Sequence, residues 1–257
     1  EIYSPTWTLG EISPFGQLKS SKIHALLNDK QGNLWLGLYM RGLFMIPKST
    51  YGFRPVNLYA NNDSANGGVC VTSILRSQNG ELWVGSDGGG LYLISGNNKI
   101  LNFSKHNSQL TNNSIMAMVE DKRGTIWIAT YLGGLYTLAA GQKQIVPYSK
   151  LHDMKLSCLA YDKLQDILYV GSLGNGVKAI SLSTNEIISI TEEDTPFRTF
   201  TLYLNGVGDL WMGTAYGLYY YDNAIKKMQE INMPKRELKT QINACCQRGD
   251  TLWVGTN

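Results

Sequence analysis

The chain contains no long hydrophobic run, since no window approaches the roughly 18 consecutive apolar residues of a membrane-spanning helix. Its net charge is also low, at +3 over 257 residues, and its Lys and Arg residues are scattered. This distribution argues against nucleic acid or an anionic membrane as a partner of the domain. The chain begins at Glu1 and shows no basic and then apolar leader, so we expect a processed or excised product.

Residue types that perform chemistry are few. Four cysteines are present, none at the spacing of metal ligands: Cys70, Cys158, Cys245 and Cys246. Each is predicted to lie on an innermost strand, where a free cysteine packs as a small hydrophobic residue. Three histidines show neither a metal-binding pair nor a recognisable catalytic triad: His24, His106 and His152. We therefore predict no metal, no cofactor and no catalytic residues, and we interpret the acidic run at 192–194 as a solvated loop.

What the sequence does contain is one short phrase, Leu-Trp-x-Gly or a close variant, that occurs six times. Its aromatic anchors lie 48, 44, 42, 42 and 42 residues apart, at Trp35, Trp83, Trp127, Tyr169, Trp211 and Trp253. A period of about 40 to 45 residues with several short strands per repeat is typical of a β-propeller blade. The predicted fold class is therefore all-β, a propeller of four-stranded antiparallel blades.

Each repeat is predicted to contain strands A to D, counted outwards from the axis. An apolar stretch before each anchor predicts strand A, at 23–27, 69–75, 115–119, 156–161, 200–204 and 242–246. The anchor phrase predicts strand B, whose aromatic side chain packs between neighbouring blades. Phrases similar to Gly-Leu-Tyr predict strand C at 42–46, 90–94, 134–138, 176–180 and 217–221. Weaker patterns predict strand D at 53–56, 100–103 and 186–190.

The whole chain, 1–257, is predicted to be one propeller domain with five blades and a partial sixth. The predicted blades are approximately 20–60, 66–106, 112–150, 155–192, 197–236 and 240–257. Because a propeller closes its ring to cover apolar blade faces, an end within a blade predicts a fragment of a larger, seven-bladed propeller. We expect such a fragment to self-associate, or to cover part of its open face with a strand near residues 2–9.

The repeat unit resembles the two-component regulator propeller repeat, in which an apolar strand precedes Asp-x-x-Gly-x-Leu-Trp-x-Gly-Thr and then Gly-Leu-Tyr. The third repeat shows this pattern most fully, with Asp121, Gly124-Thr125-Ile126-Trp127-Ile128-Ala129-Thr130 and Gly134-Leu135-Tyr136. The likeness covers about residues 20–257. Ala129 in place of Gly and Tyr169 in place of Trp depart from the pattern without removing it.

The resemblance implies a periplasmic sensing domain of a hybrid two-component histidine kinase, of the kind common in Bacteroidetes. It implies an oligosaccharide or another small ligand, and a role in signal transduction and transcription regulation. It also implies a homodimeric parent protein that other segments anchor in the inner membrane. Phosphotransfer takes place in those other segments in such proteins, so the resemblance implies a binding module rather than an enzyme.

The hairpins between strands B and C are predicted to lie on the propeller face that usually meets ligands. The candidate ligand contacts there are Tyr39, Arg41, Asp87, Tyr131, Asn175 and Tyr216. Aromatic faces pack on sugars, and Arg, Asp and Asn form paired hydrogen bonds with hydroxyl or carboxylate groups. His24, on an inner strand beside the channel, is a further candidate. The competing interpretation is that the tyrosines and Asp87 are ordinary turn residues and that His24 has a structural role.

Three other functions remain open at this point. A streptogramin-lyase-like enzyme would need a catalytic histidine beside acidic residues and Mg²⁺, and His24 is the candidate nearest the channel. A quinoprotein-like propeller is suggested by Tyr169-Val170-Gly171-Ser172, although its tryptophan-docking phrase and metal ligands are not recognisable. A protein-interaction propeller would bind a protein partner and ignore sugars.

Overall fold

The structure is a computed structural model that describes residues 22–46, 54–56, 58, 69–95, 99–152, 154–191, 197–231 and 241–256. Within these residues the chain forms five four-stranded antiparallel sheets and one two-stranded sheet. The five larger sheets follow one another as the blades of a propeller, each with its strands in chain order. The described part of the chain contains no helix long and apolar enough to cross a membrane.

Each blade contains strands A to D in sequence. Blade 1 consists of β1 (Ile23–Asn28), β2 (Leu34–Leu38), β3 (Gly42–Ile46) and β4 (Arg54–Val56). Blade 2 consists of β5 (Cys70–Arg76), β6 (Leu82–Asp87), β7 (Gly90–Ile94) and β8 (Ile100–Phe103). Blade 3 consists of β9 (Ile115–Glu120), β10 (Ile126–Thr130), β11 (Gly134–Leu138) and β12 (Ile145–Pro147), and a 3-10 turn at Ser149–Leu151 follows it.

The later part of the chain repeats the arrangement. Blade 4 consists of β13 (Leu156–Asp162), β14 (Ile167–Ser172), β15 (Val177–Ser181) and β16 (Glu186–Ser189). Blade 5 consists of β17 (Thr199–Leu204), β18 (Leu210–Thr214), β19 (Gly217–Asp222) and β20 (Lys227–Glu230). The two-stranded sheet is a hairpin of β21 (Ile242–Arg248) and β22 (Thr251–Thr256), and it packs against blade 5 through β17 and β18.

An aspartate at the end of strand A organises the turn to strand B in blades 1 and 3. Asp29 accepts the backbone N–H of Asn33 at 2.8 Å and the indole N–H of Trp35 at 3.0 Å. Asp121 accepts the indole N–H of Trp127 at the same distance, 3.0 Å. Burial would raise the pKa of Asp29, but these hydrogen bonds outweigh burial and lower the pKa below its ordinary value. Each anchor is thus held by a charge-assisted hydrogen bond as well as by packing.

Neighbouring blades meet through their innermost strands, which lie side by side around the axis. An apolar cluster fills each of the four joints between the five blades, and the cluster between blades 2 and 3 contains the fully buried Trp83 and Ile115. A glycine on strand B permits the close approach, because a Cβ at Gly85 would lie 2.7 Å from Ile115 Cγ2. Blade 3 has Ala129 at this position, and its methyl group is fully buried together with Leu156 in the next joint.

An ion-pair network crosses the joint between blades 3 and 4. Asp166 of blade 4 lies 2.6 Å from Arg123 Nη2 and 3.2 Å from Lys122 Nζ, and it accepts the Tyr161 hydroxyl at 2.8 Å. Burial would raise the pKa of Asp166, but the bonds from Arg123, Tyr161 and Lys122 outweigh burial and lower the pKa. The stability that a lowered carboxyl pKa contributes is lost as pH falls through the folded value, so this network weakens only below about pH 4.

A backbone hydrogen bond also crosses each of the first four joints. The glycine at the start of strand C donates its N–H to a carbonyl just before strand A of the next blade. The four bonds are Gly42 to Val69 at 3.1 Å, Gly90 to Asn113 at 2.8 Å, Gly134 to Met154 at 3.3 Å and Gly176 to Phe197 at 3.2 Å. All four donors have positive φ, between +64° and +85°, a conformation that favours glycine.

The all-β class and the five four-stranded antiparallel blades predicted from the sequence are confirmed. Strands A and B occur at the predicted places, with ends that differ by one or two residues, because their apolar stretches and anchors are strong signals. Two outer strands were missed, β12 and β20, since the first is three residues long and the second is mostly polar. The strand predicted near residues 2–9 lies outside the described residues.

The cysteines lie on inner strands, as predicted, but they do not share one environment. Cys70 and Cys158 are buried, Cys245 is partly buried and Cys246 is exposed, and all four are free. Burial raises the pKa of Cys158 to about 12, so this thiol stays protonated. Cys246 departs from the predicted packing role because it lies on β21, at one end of the described arc of blades.

The two ends of that arc are exposed. Trp253 on β22 is 64% exposed, whereas Trp83 at the equivalent position of blade 2 is 1% exposed. At the other end, Ile23 and Leu26 on the innermost strand of blade 1 are also exposed. At the position of Ile23, the residues of blades 2, 3 and 4 are fully buried, namely Val71, Ile115 and Leu156.

Candidate functional site

The B–C hairpins and the residues that precede strands A share one end of the propeller, which we call the hairpin face. Backbone hydrogen bonds join the two sets of residues within each blade. The first hairpin residue donates its N–H to the carbonyl of the residue before strand A: Tyr39 to Lys22 at 2.8 Å, Tyr131 to Ser114 at 2.9 Å, Leu173 to Lys155 at 2.8 Å and Ala215 to Arg198 at 3.0 Å. The hairpin tips are therefore fixed relative to the mouth of the central channel.

The structure places all six predicted hairpin candidates on this face. Five of them are exposed, namely Tyr39, Arg41, Asp87, Asn175 and Tyr216, and Tyr131 is half-buried. Tyr39 and Tyr216 present the largest aromatic surfaces, at 46% and 51% exposed. Because the hairpins belong to successive blades, these side chains surround the channel mouth instead of forming a single cleft.

His24 lies at the second position of β1, where its side chain is exposed on the hairpin face. Its ring centroid is 5.2 Å from that of Tyr39, and its Nδ1 is 3.8 Å from Cys70 Sγ on blade 2. Cys70 in turn pairs with Asp87 across β5 and β6. The structure thus brings together three of the predicted candidates, His24, Tyr39 and Asp87. It adds Cys70, which could be placed beside them only from the strand register.

The pKa of Cys70 is raised, chiefly because the thiol is buried and secondarily because Asp87 is nearby. The thiol is therefore neutral at physiological pH and can serve as a weak hydrogen-bond partner for His24. A contact of this kind supports the structural interpretation of His24 as much as a ligand-binding one.

Asp87 already has a partner within the protein. Its Oδ1 accepts the hydroxyl of Ser114 at 2.5 Å, and Ser114 is the residue before strand A of blade 3. This bond connects the hairpin of blade 2 with the next blade and leaves Oδ2 of the exposed carboxylate for other donors. Among the candidates, Asp87 has a positioning role as well as a possible ligand-binding one.

Two hairpin tips carry large apolar side chains in a left-handed backbone conformation. Met40 has φ +53° and Leu132 has φ +69°, and both side chains are exposed. The equivalent position of blade 2 is Gly88, at φ +88°, which is the residue type that this conformation favours. The left-handed conformation costs about 1 kcal/mol for a residue with a Cβ. Alignment of the hairpins would have identified these tips, which the sequence analysis did not single out.

The remaining histidines lie elsewhere on the chain and do not join His24. His106 is exposed in the connection between blades 2 and 3, and His152 is exposed after the 3-10 turn. Within the described ranges, no group of three or more His, Cys, Asp or Glu residues has the geometry to hold a metal ion. Within the part of the chain that the structure describes, His24 contacts Tyr39 and Cys70, neither of which is acidic, whereas the lyase hypothesis requires acidic neighbours.

Two segments of the chain match the two-component regulator propeller family, at residues 17–40 and 109–132. The second segment contains the third repeat, in which the sequence pattern was fullest. This recognition of the repeat is confirmed. No curated protein sequence matches the chain.

Solved structures with the same fold include the extracellular domain of a putative hybrid two-component system from B. thetaiotaomicron. The identity is 21% with a TM-score of 0.64, over 92% of this chain and 37% of that one. The chain thus spans little more than a third of that domain. Virginiamycin B lyase from Staphylococcus aureus is 15% identical with a TM-score of 0.71, over 93% of this chain and 78% of the lyase.

A third similar structure is PorZ, a bacterial surface component of the type-IX secretion system of Porphyromonas gingivalis. It is 14% identical with a TM-score of 0.68, over 91% of this chain and 37% of PorZ. At such identities the three likenesses establish the propeller fold alone, because one fold supports many functions.

Proposed function

We propose that this chain, a β-propeller with two-component regulator propeller repeats, is the ligand-sensing part of an extracytoplasmic two-component sensor. The parent protein is a hybrid histidine kinase of the inner membrane, and this domain lies in the periplasm as a binding module without turnover. Its ligand is an oligosaccharide that binds on the hairpin face. The observation that carries the proposal is the match of residues 17–40 and 109–132 to the family.

The geometry of the hairpin face supports a sugar ligand. Tyr39 and Tyr216 expose aromatic faces that can pack on the apolar side of a pyranose ring. Asn175 and the free oxygen of Asp87 offer hydrogen bonds to hydroxyl groups at the same end of the molecule. A site that surrounds a channel mouth suits an extended chain of sugars better than a single compact molecule.

We also propose that β21 and β22 are strands A and B of a sixth blade in a seven-bladed ring. The exposed Trp253 and the exposed Ile23 support this. Their counterparts in blades 2, 3 and 4 are buried, namely Trp83, Trp127 and Tyr169 for the first and Val71, Ile115 and Leu156 for the second. The parent protein acts as a homodimer, in which a bound ligand shifts the equilibrium between two arrangements of the subunits.

Isothermal titration calorimetry of the chain against a panel of oligosaccharides tests the proposal. We expect saturable binding without breakdown of the sugar. Tyr39→Ala and Tyr216→Ala should each weaken binding about threefold to tenfold, the effect of one lost aromatic contact. Leu164→Ala is the matched control, because Leu164 is 85% exposed but lies in an A–B turn at the other end of the molecule.

Equal effects of the tyrosine variants and of Leu164→Ala would place the ligand elsewhere and contradict the hairpin site. Conversion of the sugar or of a streptogramin-type cyclic peptide would favour the lyase alternative. In that case His24→Ala should abolish the activity, since His24 is the histidine nearest the channel mouth. Binding of a protein partner with no response to sugars would favour an interaction propeller.

A further inference from the structure

An equivalent residue lies at the start of strand A, or immediately before it, in every repeat. We call these six residues the rim residues: Lys22, Cys70, Ser114, Lys155, Arg198 and Gln241. They lie at the start of the innermost strands, which surround the axis. The carbonyls of four of them accept the hairpin N–H groups described above, and Cys70 pairs with the hairpin residue Asp87 in the β5–β6 ladder. The rim residues therefore line the channel mouth at the centre of the hairpin face.

Three of the rim residues are cations, at Lys22, Lys155 and Arg198, and all three side chains are exposed. None of the three forms an ion pair with a carboxylate among the described residues. A fourth cation, Arg41, lies in the hairpin of blade 1 beside Lys22 on the same face. The other three rim residues carry no charge: Cys70 contacts His24, Ser114 is bonded to Asp87, and the Gln241 side-chain amide donates to Asn243 Oδ1.

Carboxylates of the described chain concentrate at the opposite end of the blades. Asp29, Asp121, Asp162, Asp166 and Asp209 lie at or beside the A–B turns, and hydrogen bonds within those turns hold them there. On the hairpin face, Asp87 is a carboxylate close to the rim, and it is bonded to Ser114. The cationic rim is therefore not neutralised by the acidic residues that the structure describes.

We propose that the ligand of the hairpin face is an acidic oligosaccharide, whose carboxylate or sulfate groups bind Lys22, Lys155 and Arg198. The proposal rests on the sensing function proposed above and adds the charge of the ligand. Cations spaced around one concave mouth concentrate the positive potential there, which attracts an anion with several charges. Arg198 can form a forked pair with one carboxylate or sulfate, while the two lysines act as point charges.

The test compares acidic oligosaccharides with their neutral counterparts in calorimetric titrations of the chain. The probes are oligogalacturonates beside their methyl esters, and a sulfated glycosaminoglycan fragment beside its desulfated and carboxyl-reduced form. At least one acidic probe should bind about tenfold more tightly than its neutral form, and its affinity should fall as salt is raised. Inorganic sulfate and vesicles of anionic lipid, added as competitors, distinguish a sugar-borne anion from other anions.

Two charge-matched triple variants locate the effect. Lys22→Gln/Lys155→Gln/Arg198→Gln removes the rim cations, and Lys30→Gln/Lys163→Gln/Lys227→Gln removes three exposed lysines from the opposite end. The rim variant should lose about tenfold in affinity for the acidic probe, whereas the control variant should retain it. All six side chains are exposed, so both variants should unfold at the temperature of the original chain.

Each result has a distinct meaning. Equal binding of acidic and neutral forms, or equal losses in the two triple variants, overturns the acidic-ligand proposal while the sensing function stands. Complete displacement of the acidic probe by inorganic sulfate or lipid vesicles at matched charge overturns the claim that the bound anion belongs to an oligosaccharide. Failure of every saccharide, acidic or neutral, to bind contradicts the sensing function itself.

Discussion

At the scale of single residues, blade 2 lacks the carboxylate that holds the anchor tryptophan in blades 1 and 3. Ser77 occupies the place of Asp29 and Asp121, and its hydroxyl is bonded to Asn79 and to the Glu81 carbonyl. The indole N–H of Trp83 is therefore buried without a partner among the described residues. An unpartnered buried donor costs about 1 to 3 kcal/mol.

Ser77→Asp should consequently stabilise the protein. The new carboxylate can accept the Trp83 indole N–H as Asp121 accepts that of Trp127, and we expect a gain of about 1 kcal/mol. Thermal unfolding at neutral pH should show a melting temperature higher by about 2 to 4 °C. Ser77→Ala is the control and should give no gain. An unchanged or lower melting temperature for Ser77→Asp would contradict the assigned role of the missing acceptor.

Blade 4 shows the converse departure from the pattern. It keeps Asp162 at the end of strand A, but Tyr169 replaces the tryptophan, and the Asp162 Oδ2 and Tyr169 hydroxyl atoms both lack partners among the described residues. Burial, together with the nearby Asp162, raises the pKa of Tyr169, so its hydroxyl remains protonated. The sequence showed the substitution, but only the structure shows that neither polar atom finds a new partner.

The candidate site was only partly predictable at this scale. Residues such as Tyr39 and Tyr216 could be found because they occupy turns at a constant distance from each anchor. The proximity of His24 to Cys70 depends on which inner strands are neighbours and on their register, which local sequence does not specify. The shared position of Lys22, Lys155 and Arg198 becomes visible only when the bulges near the start of each strand A have been aligned in space.

At the scale of elements, the glycine at the start of strand C performs two tasks at once. Gly134 has φ +79°, and a Cβ there would lie 2.1 Å from the Leu151 carbonyl oxygen. Gly42 has nearly the same φ, +80°, but has no atom within 4 Å of the Cβ position. A comparison of Gly42 with Gly134 therefore distinguishes the energetic cost of the left-handed backbone conformation from the cost of crowding at the joint.

We expect Gly42→Ala to lower the free energy of unfolding by about 1 kcal/mol, the cost of a left-handed alanine. Gly134→Ala should lower it by about 3 kcal/mol or more, because the backbone of the neighbouring segment must also move. Urea unfolding followed by tryptophan fluorescence measures both values. Similar losses in the two variants would show that crowding against Leu151 contributes nothing.

The elements that could be predicted from the sequence were those in which packing requires particular residue types. Strands A and B are covered on both sides, so they require apolar runs, a large anchor and a small glycine. These features can be recognised in the sequence. The outer strands β12 and β20 are solvated on one side and need only backbone pairing with strand C. Pairing of that kind places few demands on side chains, so Pro147 and Lys227 occur where a strand pattern would not be recognised.

At the scale of the whole molecule, the exposed ends of the arc offer a direct optical test. If Trp253 is open to solvent in solution, acrylamide should quench its emission, and Trp253→Phe should remove much of the quenchable fraction. Trp83→Phe is the control, because Trp83 is 1% exposed and should be protected from the quencher.

Protection of Trp253 in the unaltered chain would contradict an open end and would mean that another surface covers it. Dependence of that protection on protein concentration would identify a second copy as the cover. A longer chain that supplies further blades should protect Trp253 at every concentration, as expected of the seven-bladed ring.

The bond between each hairpin and its rim residue uses the rim residue's carbonyl and leaves its side chain uninvolved. The spacing of the rim is therefore set by main-chain atoms, whereas its charge is set by the exposed side chains of Lys22, Lys155 and Arg198, which can be exchanged independently. Duplicated copies of such a gene could diverge in ligand preference through three codons without disturbing the scaffold. The propeller scaffold thus tolerates different side chains at these rim positions, and the cations of this chain are one of many combinations that it could carry.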